Sequence, residues 1–192
     1  MTSVGSPVVV LVGAPGAGKS TVGAALAERL GVGFRDTDTD VEKGAGTSIS
    51  DIFLTDGEPT FRELEREAVV AAISEHRGVL ALGGGAVLDG ETRRQLAAVP
   101  TVWLQVSTPQ AAARTGMNAA RPVLLGNVRA QLGTLLKERA PLYAEVSGLA
   151  VDTDDRTADL VVEEILESLA ELKPLAGSSS LTRNAAHDQG ES

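Results

Sequence analysis

A chain of 192 residues fits one domain with a core of its own. Apolar residues at 43% and charged residues at 22% are ordinary for a globular protein, and aromatics at 3% leave the core to Ala, Val, Leu and Ile. The lack of cysteine excludes disulfides and thiolate metal sites, and a net charge of −9 argues against nucleic acid or an anionic membrane as partner.

Val8-Val9-Val10-Leu11-Val12 is a short β-branched run that predicts a buried parallel strand. Val22, Ala25, Leu26 and Leu30 have helical spacing and predict a helix from Ser20 to Leu30. A short strand follows at Gly33-Phe34-Arg35 and runs into Asp36-Thr37-Asp38. Ser48 with Asp51 forms a capping box that opens a short helix, which Gly57 breaks. Pro59 suits the first turn of a longer helix, with Phe61, Leu64, Ala68, Val69, Ala72 and Ile73 as its stripe and Gly78 as its end. Val79 to Leu82 predicts a strand leading into Gly83-Gly84-Gly85. A helix is expected over about Glu91 to Ala98, a strand over Thr101 to Val106, and a helix from Pro109 to Gly116. Residues 117–127 have no period. A helix then runs from Val128 to Ala140, closed by Pro141, followed by a strand over Leu149 to Val151. Thr157 caps a final helix that reaches Leu172. Alternating strands and helices predict an α/β fold, five strands with helices on both faces. Residues 1–173 are expected to form the single domain. Residues 174–192, rich in Ser, Gly, Asn and Ala, are expected to form a disordered tail.

Gly13-Ala14-Pro15-Gly16-Ala17-Gly18-Lys19-Ser20 fits G-x-x-x-x-G-K-[ST] between a predicted strand and a predicted helix. There the glycines can turn backbone N–H groups inward as an anion nest, backed by a helix N-terminus. Lys19 can reach the terminal phosphates of a nucleotide, and the Ser20 hydroxyl can ligate Mg²⁺. The plainer reading is a glycine-rich turn. Asp36 and Asp38 sit at a strand end, where alternate carboxylates can point to one side, one for a metal shell and one as a base. Helix capping is the competing account. Three consecutive glycines suggest close approach of a ligand to the backbone, against a simple turn. Arg62, Arg121 and Arg139 are ordinary surface residues one by one. Together they could supply the local cations that an acidic protein needs around an anionic ligand.

In order, the phosphate loop, Asp36-Thr37-Asp38, Phe61-Arg62-x-x-Glu65, Gly83-Gly84-Gly85, Arg121-Pro122 and Arg139-x-Pro141-x-Tyr143 together resemble the shikimate kinase family over about Val8 to Leu172. The resemblance implies a three-layer α/β/α P-loop kinase fold with a five-stranded parallel sheet and a mobile lid, placed at about 114–127. It implies transfer of the ATP γ-phosphoryl group to the 3-hydroxyl of shikimate, a step towards chorismate. By the same resemblance, Gly16, Ala17, Gly18, Lys19, Ser20 and Thr21 hold the phosphates, and Ser20 and Asp36 hold Mg²⁺. Asp38 is the candidate base and also binds acceptor hydroxyls. Arg62 and Arg139 clamp the acceptor carboxylate, beside Gly83, Gly84 and Gly85, with Glu65 orienting the arginines. Arg121 comes from the lid, and Arg156 lies on the nucleotide side. Lys19, Asp38 and Arg121 are thus the expected catalytic residues. The lid sequence Met117-Asn118-Ala119-Ala120 is less glycine-rich than the family pattern, and Asp40 is an additional acid without an evident role. Neither a membrane-length apolar stretch nor a signal-peptide pattern is present, so a cytoplasmic monomer is expected, binding ATP, ADP and shikimate. The rival readings are a related kinase acting on gluconate or a nucleoside monophosphate, and a non-catalytic nucleotide-binding module.

Overall fold

The computed structural model describes residues 7–115 and 122–169. Its five strands are β1 (Val9–Val12), β2 (Phe34–Asp36), β3 (Val79–Ala81), β4 (Thr101–Gln105) and β5 (Leu149–Asp152). They form one sheet in the order β2-β3-β1-β4-β5, and every pairing is parallel. Among the described residues there are eight α-helices. They are α1 (Lys19–Leu30), α2 (Thr37–Ala45), α3 (Ile49–Thr55), α4 (Gly57–Glu75), α5 (Gly90–Leu96), α6 (Thr108–Arg114), α7 (Pro122–Val146) and α8 (Ala158–Leu169).

The expected three layers follow from the pleat of β1. Val9 and Leu11 point to one face and pack with Val22 and Leu26 of α1 and Val161, Val162 and Ile165 of α8. Val10 and Val12 point to the other, against Val69 and Ala72 of α4, Leu96 of α5 and Tyr143 and Val146 of α7. All four β1 residues are buried. A strand covered on both faces needs a continuous apolar run, and this explains why it lacks alternation. A smaller cluster of Val41, Ile52 and Phe61 joins α2, α3 and α4 beside the sheet.

The sheet order places β1 between β3 and β4, with β2 reached on one side and β5 on the other. The strand order therefore reverses beside β1, and the crevice beyond its C-terminal end is the preferred ligand position of such a sheet. The phosphate loop leaves β1 at that point, Asp36 ends β2, and the triple glycine follows β3.

Several expected boundaries are corrected. A helix, α2, begins directly after β2, as the helix-capping account of the acids there allows. Asp36 caps it by accepting the Asp38 N–H at 3.0 Å. A single 3₁₀ turn, Ala86–Leu88, follows the triple glycine. The longer helix α4 stops at Glu75, short of Gly78. The helix α7 starts at Pro122, within the stretch that lacked a period, and continues through Pro141 to Val146. Pro141 removes a donor to the Lys137 carbonyl, but Pro141 and Lys137 are both exposed, so water can take that carbonyl. Beyond the proline, Tyr143 and Val146 are each 1% exposed, and their burial holds the last turn in place.

Candidate active site

The phosphate loop closes on itself. Gly18 adopts a left-handed conformation, φ 87°, as the N-cap of α1, which glycine reaches without steric cost. Half-buried Lys19 donates from Nζ to the carbonyls of Gly13 at 2.8 Å and Ala14 at 3.1 Å. The Ala17 N–H also donates to the Ala14 carbonyl. Burial lowers the Lys19 ammonium below its ordinary value, opposed by the attraction of Asp38 and then Asp36. The Lys19 cation thus lies in the field of both aspartates.

Asp36 performs two tasks that looked like alternatives in the sequence. One carboxylate oxygen caps α2, and the other accepts the Ser20 hydroxyl at 2.6 Å. A hydroxyl beside a carboxylate is a hard-oxygen donor set of the type Mg²⁺ prefers. Among the described residues no group of three or more His, Cys, Asp or Glu is placed to hold a metal. Capping winds Thr37 and Asp38 into the first helical turn. The buried Thr37 hydroxyl then accepts the Gly83 N–H at 3.0 Å. Asp38 lies over the triple glycine, and its carboxyl is pushed up to about 6, first by burial and then by Asp36, with Glu65 and Glu42 adding and Lys19 opposing.

The glycines are required by close approach. A Cβ on Gly83 would stand 2.5 Å from an Asp38 carboxylate oxygen and 2.6 Å from one of Glu65. On Gly85 it would stand 2.0 Å from Arg62 Nη1, and on Gly84 2.9 Å from Cδ of Pro15 in the phosphate loop. The triplet is therefore the floor on which Asp38, Glu65, Arg62 and the phosphate loop converge. Arg62 donates to Glu65 at 2.6 Å and to Glu58 at 2.9 Å, and its guanidinium lies 5.1 Å from the Phe61 ring centroid. Glu65 is 4% exposed on the otherwise apolar face of α4. From α7, Arg139 Nη1 donates to the Gly84 carbonyl at 3.1 Å, and the Tyr143 hydroxyl donates to the same oxygen at 2.6 Å. Two cations, a carboxyl poised near 6 and a bare backbone thus face the phosphate loop. The set suits an anionic acceptor carrying hydroxyls.

On the opposite side of the loop, a cavity of about 170 Å³ is lined by Gly18, Thr21, Arg114, Thr153 and Arg156, among others. The structure places Arg156 here, but its guanidinium is held by Glu164 at 2.6 Å and by the Asp152 carbonyl. Arg114 was missed in the sequence. It donates to the Gly16 carbonyl at 3.2 Å and to the Thr153 hydroxyl at 2.9 Å, bracing the phosphate loop against β5. Its position just after β4, in the last turn of α6, was the available signal. Asp40 also gains a role. It accepts Arg35 Nε at 2.6 Å, tying α2 to β2 away from the glycine floor. Arg121 lies outside the described residues, as do residues 116–120 of the expected lid and the whole expected tail.

Comparison with known proteins agrees with this geometry. The shikimate kinase family model matches residues 15–170. A shikimate kinase of Thermobifida fusca is 52% identical over 171 residues, covering 89% of this chain and 97% of that protein. The structure of an Acinetobacter baumannii shikimate kinase in complex with shikimate superposes with a TM-score of 0.80 at 36% identity, covering 87% of this chain and 94% of that one. A gluconokinase of Sinorhizobium meliloti has a TM-score of 0.50 at 22% identity, covering 88% and 94%, and shares the fold alone.

Proposed function

The chain belongs to the shikimate kinase family and is an ATP-dependent kinase that phosphorylates shikimate, and we propose the residues that carry the reaction. The observation that carries the assignment is the convergence of Asp38, Arg62 and Arg139 on the Gly83–Gly85 floor opposite the phosphate loop. The acceptor is a carboxylate with hydroxyls. Arg62 and Arg139 take the carboxylate, Asp38 takes the hydroxyls, and the glycines allow close backbone contact. Arg62 must turn from Glu58 to do so, while Glu65 keeps it near the floor.

Gly16 to Thr21 enclose the phosphates of ATP, and Lys19 exchanges the Gly13 and Ala14 carbonyls for phosphate oxygens. Ser20 and Asp36 would hold Mg²⁺, which would neutralise phosphate charge when bound. Asp38 accepts the proton of the acceptor 3-hydroxyl as its oxygen bonds to the γ-phosphorus. The bond from that phosphorus to the bridging oxygen breaks, leaving shikimate 3-phosphate and ADP. Such transfer depends mainly on positioning and charge neutralisation, and pre-aligned side chains supply both. Arg121 approaches the phosphates from the segment at 114–127, the lid. Arg114 and Arg156 flank the nucleotide. We further propose a single domain over 1–173 with a tail over 174–192, acting as a cytoplasmic monomer in the path to chorismate, without nucleic acid or membrane partners. Among the described residues no helix is long and apolar enough to cross a membrane.

ADP release measured with ATP, Mg²⁺ and a panel of shikimate, gluconate and nucleoside monophosphates tests the assignment. Turnover with shikimate alone is expected. Turnover with gluconate or a nucleotide would move the assignment to a sister kinase. No turnover with any acceptor would leave a nucleotide-binding module.

A further inference from the structure

Tyr143 is the chain's single tyrosine, and the reaction above assigns it nothing. It follows Arg139 by four residues on α7, so both side chains emerge from the same helix face. Its ring is buried, 1% exposed, and stacks on Trp103 with centroids 5.8 Å apart. Its hydroxyl reaches across the layers to the Gly84 carbonyl at 2.6 Å, the oxygen that Arg139 also holds. A buried hydroxyl requires some partner. This one spends its donor on the most pliable peptide of the site, between two glycines.

In a trans peptide the C=O and the following N–H point in opposite directions. Holding the Gly84 oxygen therefore fixes the direction of the Gly85 N–H. Glycine has the widest torsional freedom, so this peptide needs an external anchor to keep one orientation. Among the described residues, neither the Gly84 nor the Gly85 N–H donates to a protein acceptor. Thr37 holds the neighbouring Gly83 N–H through its hydroxyl, which leaves the Gly84 carbonyl to Tyr143 and Arg139. Arg139 uses Nη1 on the same carbonyl, and its guanidinium lies within hydrogen-bond reach of the Tyr143 hydroxyl.

We propose that Tyr143 is a positioning residue for the acceptor, fixing the Gly84–Gly85 peptide and, through the shared carbonyl, the Arg139 guanidinium. The inference rests on the acceptor site described above. It does not place Tyr143 in contact with substrate.

Tyr143→Phe keeps the ring and its stacking and removes the donor. The expected result is a 5- to 10-fold rise in the KM and Kd for shikimate, the usual effect of one lost hydrogen bond at a retained group. The Kd for Mg-ATP without acceptor should stay within twofold, and kcat should fall less than KM rises. A lower melting temperature with shikimate Kd within twofold of the parent would overturn the proposal and leave Tyr143 a packing residue. Should the variant not fold, 3-fluorotyrosine incorporated at this one position supplies a single ¹⁹F resonance. It should shift on shikimate titration without nucleotide, and an unmoved resonance at saturating shikimate overturns the proposal. Failure of the parent to bind shikimate would instead strike at the acceptor assignment itself.

Discussion

Asp38 shows how one carboxyl can work against the fold that positions it. Burial, then the neighbouring Asp36, raises it from 3.8 to about 6. The folded state thus binds this proton more tightly than the unfolded chain does. The associated stability is complete below the ordinary carboxylate range and is lost as pH rises through about 6. At pH 7.5, Asp38→Asn should therefore raise the melting temperature by a few degrees, on the order of 1 kcal/mol after solvent screening. Its kcat should fall roughly 10²–10⁴-fold, the range for a lost general base. Near-normal turnover in that variant would return Asp38 to a purely helical role. In the parent, kcat/KM should decline below about pH 6 as the base is protonated, and the decline should be absent from the variant's residual activity. The arginines are proposed to act on binding. Arg139→Ala should weaken shikimate by roughly 30- to several-thousand-fold, equivalent to about 2–5 kcal/mol for a truncated charge pair. Arg139→Lys should recover little, because an ammonium lacks the planar fork. An unchanged shikimate Kd in either variant would remove Arg139 from the clamp.

Elements place these residues by their ends. The β2-to-α2 junction puts Asp36 at the cap, Thr37 against Gly83 and Asp38 over the floor, all within one helical turn. The α4 helix supplies Arg62 and Glu65 one turn apart, and α7 supplies Arg139 and Tyr143 from above. Between them the triplet after β3 must stay bare. Gly85 has φ −95°, which any residue can adopt, so Gly85→Ala should fold. Its Cβ would occupy the position of Arg62 Nη1, displacing a flexible side chain end. The expected outcome is a KM for shikimate raised at least tenfold, with Mg-ATP affinity and melting temperature little changed. This is checked by steady-state kinetics alongside thermal unfolding. A KM within twofold would show that Arg62 binds the acceptor from another rotamer.

At the scale of the whole molecule, an acidic chain of net charge −9 handles two anionic ligands by collecting cations beyond the C-terminal ends of its strands. Apart from Arg121, the proposed site and the cores built on β1 lie within the described body. A chain ending at residue 173 should accordingly keep its activity and melting temperature; a drop of several degrees would show that 174–192 packs on that body. Much of this was legible in the residues. The β-branched run at Val8–Val12, the glycine loop and the capping box at Ser48 report short-range physics, which a local pattern encodes fully. The alternation of strands with helices was legible too, although the parallel pairings themselves join distant residues, as Val9 with Val79. The role of Asp36 was legible only in part, because capping and ligand binding favour the same residue at the same place. Other features depend on contacts distant in sequence. Arg114 pairs with Thr153, Glu65 is buried against the floor, and Asp40 is drawn to Arg35. The course of α7 through Pro141 depends on burial of Tyr143 and Val146, a tertiary gain that outweighs one missing backbone bond. The sequence by itself determined the fold class and the phosphate-loop pattern, and it named the side chains proposed here to bind the acceptor. Only the tertiary structure decided which partners hold those side chains, because a hydrogen bond such as that from Tyr143 to Gly84 exists only once α7 has packed across the end of β3.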